Sequence, residues 1–193
     1  MRIVAGRHRG RRLLAPPDET VRPTSDRARE ALFDILLHGR LAAEGNPFAN
    51  EAVLDAFAGT GALGLEALSR GAAEAVFIEQ DREALGFLRQ NIATLGEDAR
   101  TRIVPGDATR PQRAPSACKL AFLDPPYRSG LAAAALSALD LAGWLAPEAL
   151  AVVELAKTEK LVPPAGFVFL DDRVYGAARL IFLRRGETTG DKR

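Results

Sequence analysis

Ala52-Val-Leu-Asp55-Ala-Phe57-Ala58-Gly59-Thr-Gly61-Ala-Leu-Gly64 is the stretch on which the fold turns. Ala52 to Phe57 reads as a strand buried on both faces, because the run is almost wholly apolar. The glycines after it fit G-x-G-x-x-G at the start of a helix, Leu63 to Arg70, that Gly71 ends. Glycine suits such a turn: it takes positive φ without strain and lets a ligand approach the backbone closely.

Outward from this turn, strand and helix alternate. Ala75 to Ile78 is a second strand, Thr101 to Val104 a third, Lys119 to Leu123 a fourth and Ala149 to Leu155 a fifth. Between them lie a helix over Asp81 to Leu95, with Leu85, Leu88, Ile92 and Leu95 inward and Gly96 as its stop, and an alanine-rich helix over Leu131 to Leu139. Such alternation predicts an α/β, doubly wound, mostly parallel sheet. Phe167 to Leu170 and Ala178 to Leu183, turning near Gly176, are expected to close it as an antiparallel hairpin, giving seven strands. Upstream, Asp26 to Leu37 is periodic, with Ala28, Ala31, Leu32, Ile35 and Leu36 on one face and Thr24 or Ser25 as its cap. Gly39 to Asn50 is a loop, and Trp144 is expected to pack against the sheet.

A chain of 193 residues with 47% hydrophobic content can build one sizeable core. No apolar run approaches the roughly 18–20 residues of a membrane span, and the N-terminus has no apolar signal core. The expected compartment is the cytoplasm. The single cysteine, Cys118, rules out an internal disulfide and argues against a cysteine-based metal site. No metal is expected. A monomer is the default expectation, and no residue argues for it.

Net charge is only +1, but its distribution is uneven. Arg2, Arg7, Arg9, Arg11 and Arg12 fall in the first fourteen residues with no acid among them, and Arg22, Arg27 and Arg29 follow. Arg2 to Gly6 and Arg11 to Ala15 flank Arg7-His8-Arg9-Gly10 as two short strands, ended by Pro16-Pro17. This basic hairpin is an electrostatic footprint for phosphates. A general preference for arginine over lysine explains the residue type and leaves the clustering unexplained. His8 reads as a phosphate or packing contact. The expected organisation is a hairpin over 1–20, a main domain over 21–186 and a loose polar tail over 187–193.

Glu79 lies about twenty residues beyond Gly59, at the end of the second strand, where a carboxylate accepts hydrogen bonds from ribose hydroxyls. Glycine turn and acid together serve NAD or S-adenosylmethionine equally. Asp55 discriminates. At the carboxyl end of the first strand it would repel a pyrophosphate, yet it can take a ligand's ammonium group. S-adenosylmethionine has an ammonium and a sulfonium and no phosphate. Asp107, after Pro105-Gly106, can accept from an adenine amino group, with the Ala108 backbone at the ring edge. Phe57 and Ala58, inside the turn, complete the expected cofactor contacts. Asp55, Glu79 and Asp107 end the first three strands, where open α/β sheets bind ligands.

Asp124-Pro125-Pro126-Tyr127 follows the fourth strand. The amino group of a nucleobase is a poor nucleophile because its lone pair is delocalised into the ring. Acceptors at both of its N–H groups localise that pair: the Asp124 side chain supplies one and the Pro125 carbonyl another. Pro126 stiffens the turn, and neither proline offers a competing N–H. Tyr127 can stack on the base. Positioning within about 3–3.5 Å is then a large part of the catalysis. Asp124 taking the released proton and its loss to water fit equally well.

With these residues the chain resembles the RsmD family. The resemblance rests on Arg2-Ile-Val-Ala-Gly6, Arg9-Gly-Arg-Arg-Leu13, Arg22-Pro-Thr24-Ser-Asp-Arg27 with Glu30 and Phe33, Asp55 to Gly64, and Leu123 to Tyr127. It implies a Rossmann-like class I methyltransferase using S-adenosylmethionine, acting on N2 of one guanine in small-subunit ribosomal RNA. It also implies that Asp124 to Tyr127 are catalytic, and that the arm with Arg22, Thr24 and Arg27 touches RNA or closes over the cofactor. The implied substrate is a pre-assembled ribosomal particle, with ribosomal proteins as partners.

Other readings share parts of this pattern. A DNA adenine-N6 methyltransferase would need a sizeable groove-reading region, and the gap between Asp107 and Asp124 has no room for one. A protein glutamine methyltransferase would have less use for a basic hairpin. A non-catalytic nucleic-acid-binding module would not need the intact turn and corner. An NAD oxidoreductase gives no reason for Asp124 to Tyr127.

Overall fold

The computed structural model describes residues 1–16, 26–41 and 45–186. Arg22, Thr24, the expected cap at Thr24 or Ser25, and the tail over 187–193 lie outside them. Among the described residues the chain forms α1 (Asp26–His38), β1 (Ala52–Ala56), α2 (Ala62–Ser69), β2 (Glu74–Glu79), α3 (Arg82–Leu95), β3 (Thr101–Pro105), β4 (Cys118–Leu123), α4 (Leu131–Leu141), β5 (Leu145–Ala156), β6 (Phe167–Tyr175) and β7 (Ala178–Arg185).

The strands make one seven-stranded sheet in the order β3-β2-β1-β4-β5-β7-β6. β1 to β5 pair in parallel, and β7 inserts antiparallel between β5 and β6. From β1 the chain winds outward through β2 and β3, then returns to place β4 on the other side of β1. This reversal opens a crevice at the carboxyl ends of β1 and β4.

Alternating residues of the strands feed two cores. Val53, Phe77, Leu120, Phe122 and Val152 face α1, α2 and α3; Leu54, Val76, Ala121, Leu123 and Val153 face α4 and the fully buried Trp144. Ile3 and Leu13 of the basic hairpin are buried in the first of these cores. Their burial contributes about 1.5–3 kcal/mol each, so the hairpin is a docked part of the fold. It closes as one antiparallel bridge, Arg2 to Arg12, with Ile3 N–H donating to the Arg11 carbonyl at 2.9 Å.

Helix ends follow local chemistry. Asp81 caps α3 by accepting from Ala84 N–H at 2.8 Å, and Gly96 ends it in the left-handed region at φ 70°. Cys118 is buried, and that burial pushes its thiol up to about 12.

Three elements differ from expectation. α1 buries Ala28, Arg29, Leu32, Phe33 and Leu36, whereas Ala31 and Ile35 are only half-buried. Arg29 turns inward because Asp26 accepts from it at 2.8 Å and Glu66 lies 3.7 Å away. β5 begins at Leu145, ahead of Ala149, since Pro147-Glu148 forms a bulge between the Cys118–Leu145 and Leu120–Leu150 pairs. β6 runs on through Asp171, Asp172 and Arg173 to Tyr175. It is an edge strand, and an edge tolerates polar residues that a central strand would not.

Candidate active site

The expected cofactor residues gather at the carboxyl ends of β1, β2 and β3. Asp55 is buried, and its Oδ2 accepts from Gly64 N–H in the first turn of α2 at 2.8 Å. Burial, reinforced by Glu79 and opposed by the Gly64 hydrogen bond, pushes its carboxyl up to about 8. Between them the chain turns sharply: Phe57 lies at φ 62°, Gly59 at 54° and Gly61 at 89°. A Cβ at Gly59 would meet no protein atom within 4 Å, so the turn presents bare backbone to open space. Ala58 is buried and donates its N–H to the Ile78 carbonyl at 3.1 Å, tying the turn to β2.

Glu79 organises the same turn. Its Oε2 accepts from Gly59 N–H, and its Oε1 accepts from Gln80 and Asp81 N–H, all at 2.7 Å. Asn91 of α3 donates to the Thr60 carbonyl at 3.0 Å and to the Leu14 carbonyl at 3.0 Å, linking the turn to the end of the hairpin. Asp107 is half-buried, and its Oδ1 accepts from both the amide and the hydroxyl of Thr109 at 2.8 Å. Those two bonds hold its carboxyl below the usual range. Ala108 beside it is buried. An open depression of about 470 Å³, lined by Gln80, Arg82, Leu85, Arg89, Pro105 and Gly106, runs past the ends of β2 and β3.

Asp124 to Tyr127 lie at the end of β4, the strand beside β1. Asp124 N–H reaches the Ala56 carbonyl at 3.4 Å. Burial raises the Asp124 carboxyl well above the ordinary range, and the charges of Glu154 and then Asp55 raise it further. Pro125 is buried and Pro126 exposed. Tyr127 is half-buried, and its hydroxyl donates to Glu154 Oε1 at 2.8 Å. Asp55, Asp124 and Glu154 thus end β1, β4 and β5 as an acidic wall. Among the described residues no three His, Cys, Asp or Glu side chains gather closely enough to hold a metal ion.

Glu154 escaped the sequence reading. Its signal is an acid inside the apolar run Leu150-Ala-Val-Val-Glu154-Leu155, where a central strand should carry none.

The basic residues divide. Arg2 donates to Asp26 at 3.0 Å, Arg7 pairs with the buried Glu97 at 2.7 Å, His8 also contacts Glu97, and Arg11 donates to the Thr94 carbonyl at 2.7 Å. Arg9, Arg12 and Arg27 are exposed and form no side-chain hydrogen bond or ion pair among the described residues. The structure therefore uses half of the arm's charge to dock it and leaves the rest outward.

An acid-lined crevice at this switch point, under a bare glycine turn and in this strand order, defines a Rossmann-like class I S-adenosylmethionine-dependent methyltransferase. A family model described as Conserved hypothetical protein 95 matches residues 1–184. Ribosomal RNA small subunit methyltransferase D of Escherichia coli K12 is 39% identical over 198 residues, covering 99% of this chain and 94% of that protein. The protein of the same name from Haemophilus influenzae is 36% identical over 182 residues, covering 91% and 89%. The solved structure of the Escherichia coli protein yhhF superposes with a TM-score of 0.79 at 37% identity, covering 96% of this chain and 98% of that one. The chain belongs to the RsmD family.

Proposed function

We propose that the protein transfers a methyl group from S-adenosylmethionine to N2 of a guanine in small-subunit ribosomal RNA. The observation that carries this reading is the acidic wall of Asp55, Asp124 and Glu154 at the ends of β1, β4 and β5. A site built of carboxyls, two buried and Asp124 half-buried, favours a cationic cofactor and a hydrogen-bond-donating amine, and disfavours a pyrophosphate. The name of the curated relatives supplies the ribosomal RNA.

Bound S-adenosylmethionine supplies a methyl on a sulfonium, open to displacement by an amine nitrogen. Asp55 takes the positive amino group. Glu79 offers about four lone-pair sites, and its three amide donors leave one for a ribose hydroxyl. Asp107, with Ala108, faces the adenine edge, and Phe57, Ala58, Gly59 and Gly61 supply the backbone cradle. A carboxyl oxygen of Asp124 accepts one N–H of the guanine amine, which it can do whether the group is protonated or ionised. The Pro125 carbonyl takes the second N–H, Pro126 fixes the turn, and Tyr127 gives the base a ring to stack on once it leaves its own stack. Arg9, Arg12 and Arg27 are the arm's best-placed phosphate contacts, with Arg2, Arg7, His8 and Arg11 shared between docking and RNA. An assembled small subunit, with ribosomal proteins in reach, is the proposed form of the substrate.

The test offers the protein S-adenosylmethionine with a tritiated methyl group and unmethylated small subunits, free ribosomal RNA, plasmid DNA or total protein. N2-methylguanosine recovered from the ribosomal particle is the expected product. N6-methyladenine in DNA, or label in protein, would overturn the substrate.

A further inference from the structure

The end of β5 grips the catalytic corner at two consecutive residues. Glu154 is only 5% exposed, yet its Oε1 accepts the Tyr127 hydroxyl at 2.8 Å. Five residues on, Glu159 Oε1 accepts the N–H of Arg128 at 2.7 Å. Glu159 is itself fixed: its Oε2 accepts from Ala156 N–H at 2.9 Å, and its carbonyl accepts from Arg179 at 2.7 Å. Arg128 sits at φ 61°, a left-handed position that a residue with a Cβ keeps only when its surroundings hold it there.

These bonds have one consequence for Tyr127. A tyrosine turns about two side-chain bonds, and a half-exposed ring would sample several tilts. A hydroxyl bonded to a buried carboxylate is held at its far end, and such a bond is stronger than a neutral one. The held backbone of the next residue fixes the near end. The ring is then a wall of set angle, where a flexible flap would stack on a base in many registers.

We propose that Glu154 is a positioning residue, whose carboxylate fixes the tilt of the Tyr127 ring and thereby the register in which the target base is presented. Glu159 assists by holding Arg128. The inference rests on Tyr127 being the stacking wall of the proposed reaction. Glu154 acts on the reacting atoms through Tyr127. Its negative charge also bears on Asp124, in line with a location inside the site.

Two tyrosines, Tyr127 and Tyr175, make the geometry directly readable. The full chain carrying 3-fluorotyrosine gives one fluorine resonance for each, assigned with Tyr175→Phe. Glu154→Leu should shift or broaden the Tyr127 resonance and leave that of Tyr175 in place. In single-turnover methyl transfer to small subunits, Glu154→Leu, which has no acceptor for the hydroxyl, and Tyr127→Phe should each lose about 10- to 100-fold. Affinity for S-adenosylmethionine should stay within about twofold of wild type, a factor worth well under 1 kcal/mol. The double variant should lose no more than the worse single one, because both break the same bond. An unmoved Tyr127 resonance, unchanged transfer by Glu154→Leu, or losses that multiply in the double variant would each overturn the proposal. Wild-type protein inactive on every RNA would sink the ribosomal RNA reading instead, and the fluorine spectrum would still decide whether Glu154 holds the ring.

Discussion

Gly64 donates its backbone N–H to Oδ2 of Asp55 at 2.8 Å, closing the first turn of α2 onto the end of β1. One hydrogen bond therefore shapes the glycine turn and holds the carboxyl proposed to take the cofactor's amino group. It also opposes the burial that raises that carboxyl, without overcoming it.

Asp55 is mostly protonated at pH 7 in the empty protein, its carboxyl lying at about 8. A cation settling against it should drive off the proton. The calorimetric enthalpy of S-adenosylmethionine binding at pH 7 should then differ between phosphate and Tris by a large part of their difference in ionisation enthalpy. Equal enthalpies would contradict the assignment. Asp55→Asn keeps an acceptor for Gly64 but cannot ionise, and should weaken binding at least tenfold, about 1.4 kcal/mol.

The same carboxyl makes the ligand-free protein sensitive to alkali. A group raised from 3.8 to about 8 holds its proton more tightly folded than unfolded. Its contribution is complete below about pH 4 and is lost as pH climbs through about 8. Asp124, shifted in the same direction, adds to the loss. The melting temperature of the ligand-free protein should fall from pH 6 to pH 9. Asp55→Asn should flatten that fall; an identical slope in the variant would refute the shift.

Glu66 of α2 is the pin beneath the hairpin. Its Oε2 accepts from Val4 N–H at 2.7 Å, and its Oε1 accepts from Ala5 N–H at 2.9 Å and from Arg70 at 2.7 Å. Glu66→Ala takes from the buried Arg70 its carboxylate partner and leaves Arg29 with Asp26 as its one acid, and should cost about 3–5 kcal/mol in denaturant unfolding. Amide exchange should rise first at Val4 and Ala5. A loss below about 1 kcal/mol would mean that the hairpin holds without Glu66, through Ile3 and Leu13 and the contacts of Arg7, His8 and Arg11.

Arg9 and Arg12 point outward from a docked hairpin. Replacing both by glutamate should weaken RNA binding and reduce the salt dependence of affinity, by about one unit of slope for each phosphate that an arginine no longer touches. Binding of S-adenosylmethionine should not change. RNA affinity that stays level would assign the arm to another task.

Much of this architecture was legible because it rests on local chemistry. The apolar strand before Gly59, the cap at Asp81 and the stop at Gly96 each declare themselves within a few residues. Asp55, Glu79 and Asp107 were legible because strand ends in an alternating pattern have only one place to go. What stayed hidden depends on distant partners. Arg29 counts with the basic cluster until Asp26 and Glu66 are seen to surround it. The polar half of β6 reads as loop until its edge position is known. Glu154 looks like an interruption of a strand, and gains meaning only when the register of β4 and β5 brings Tyr127 to it. The docking of Arg7 and His8 on Glu97 spans nearly ninety residues of sequence, which no local pattern reports.

Asp124 is the residue on which the account stands. The direct measurement compares Asp124→Ala with wild type for single-turnover methyl transfer to unmethylated small subunits, with S-adenosylmethionine affinity measured in parallel. Loss of the amine's acceptor should abolish transfer, by at least about a hundredfold, while cofactor affinity largely survives. Transfer at the wild-type rate would show that the corner at the end of β4 does not hold the amine, and would contradict the account.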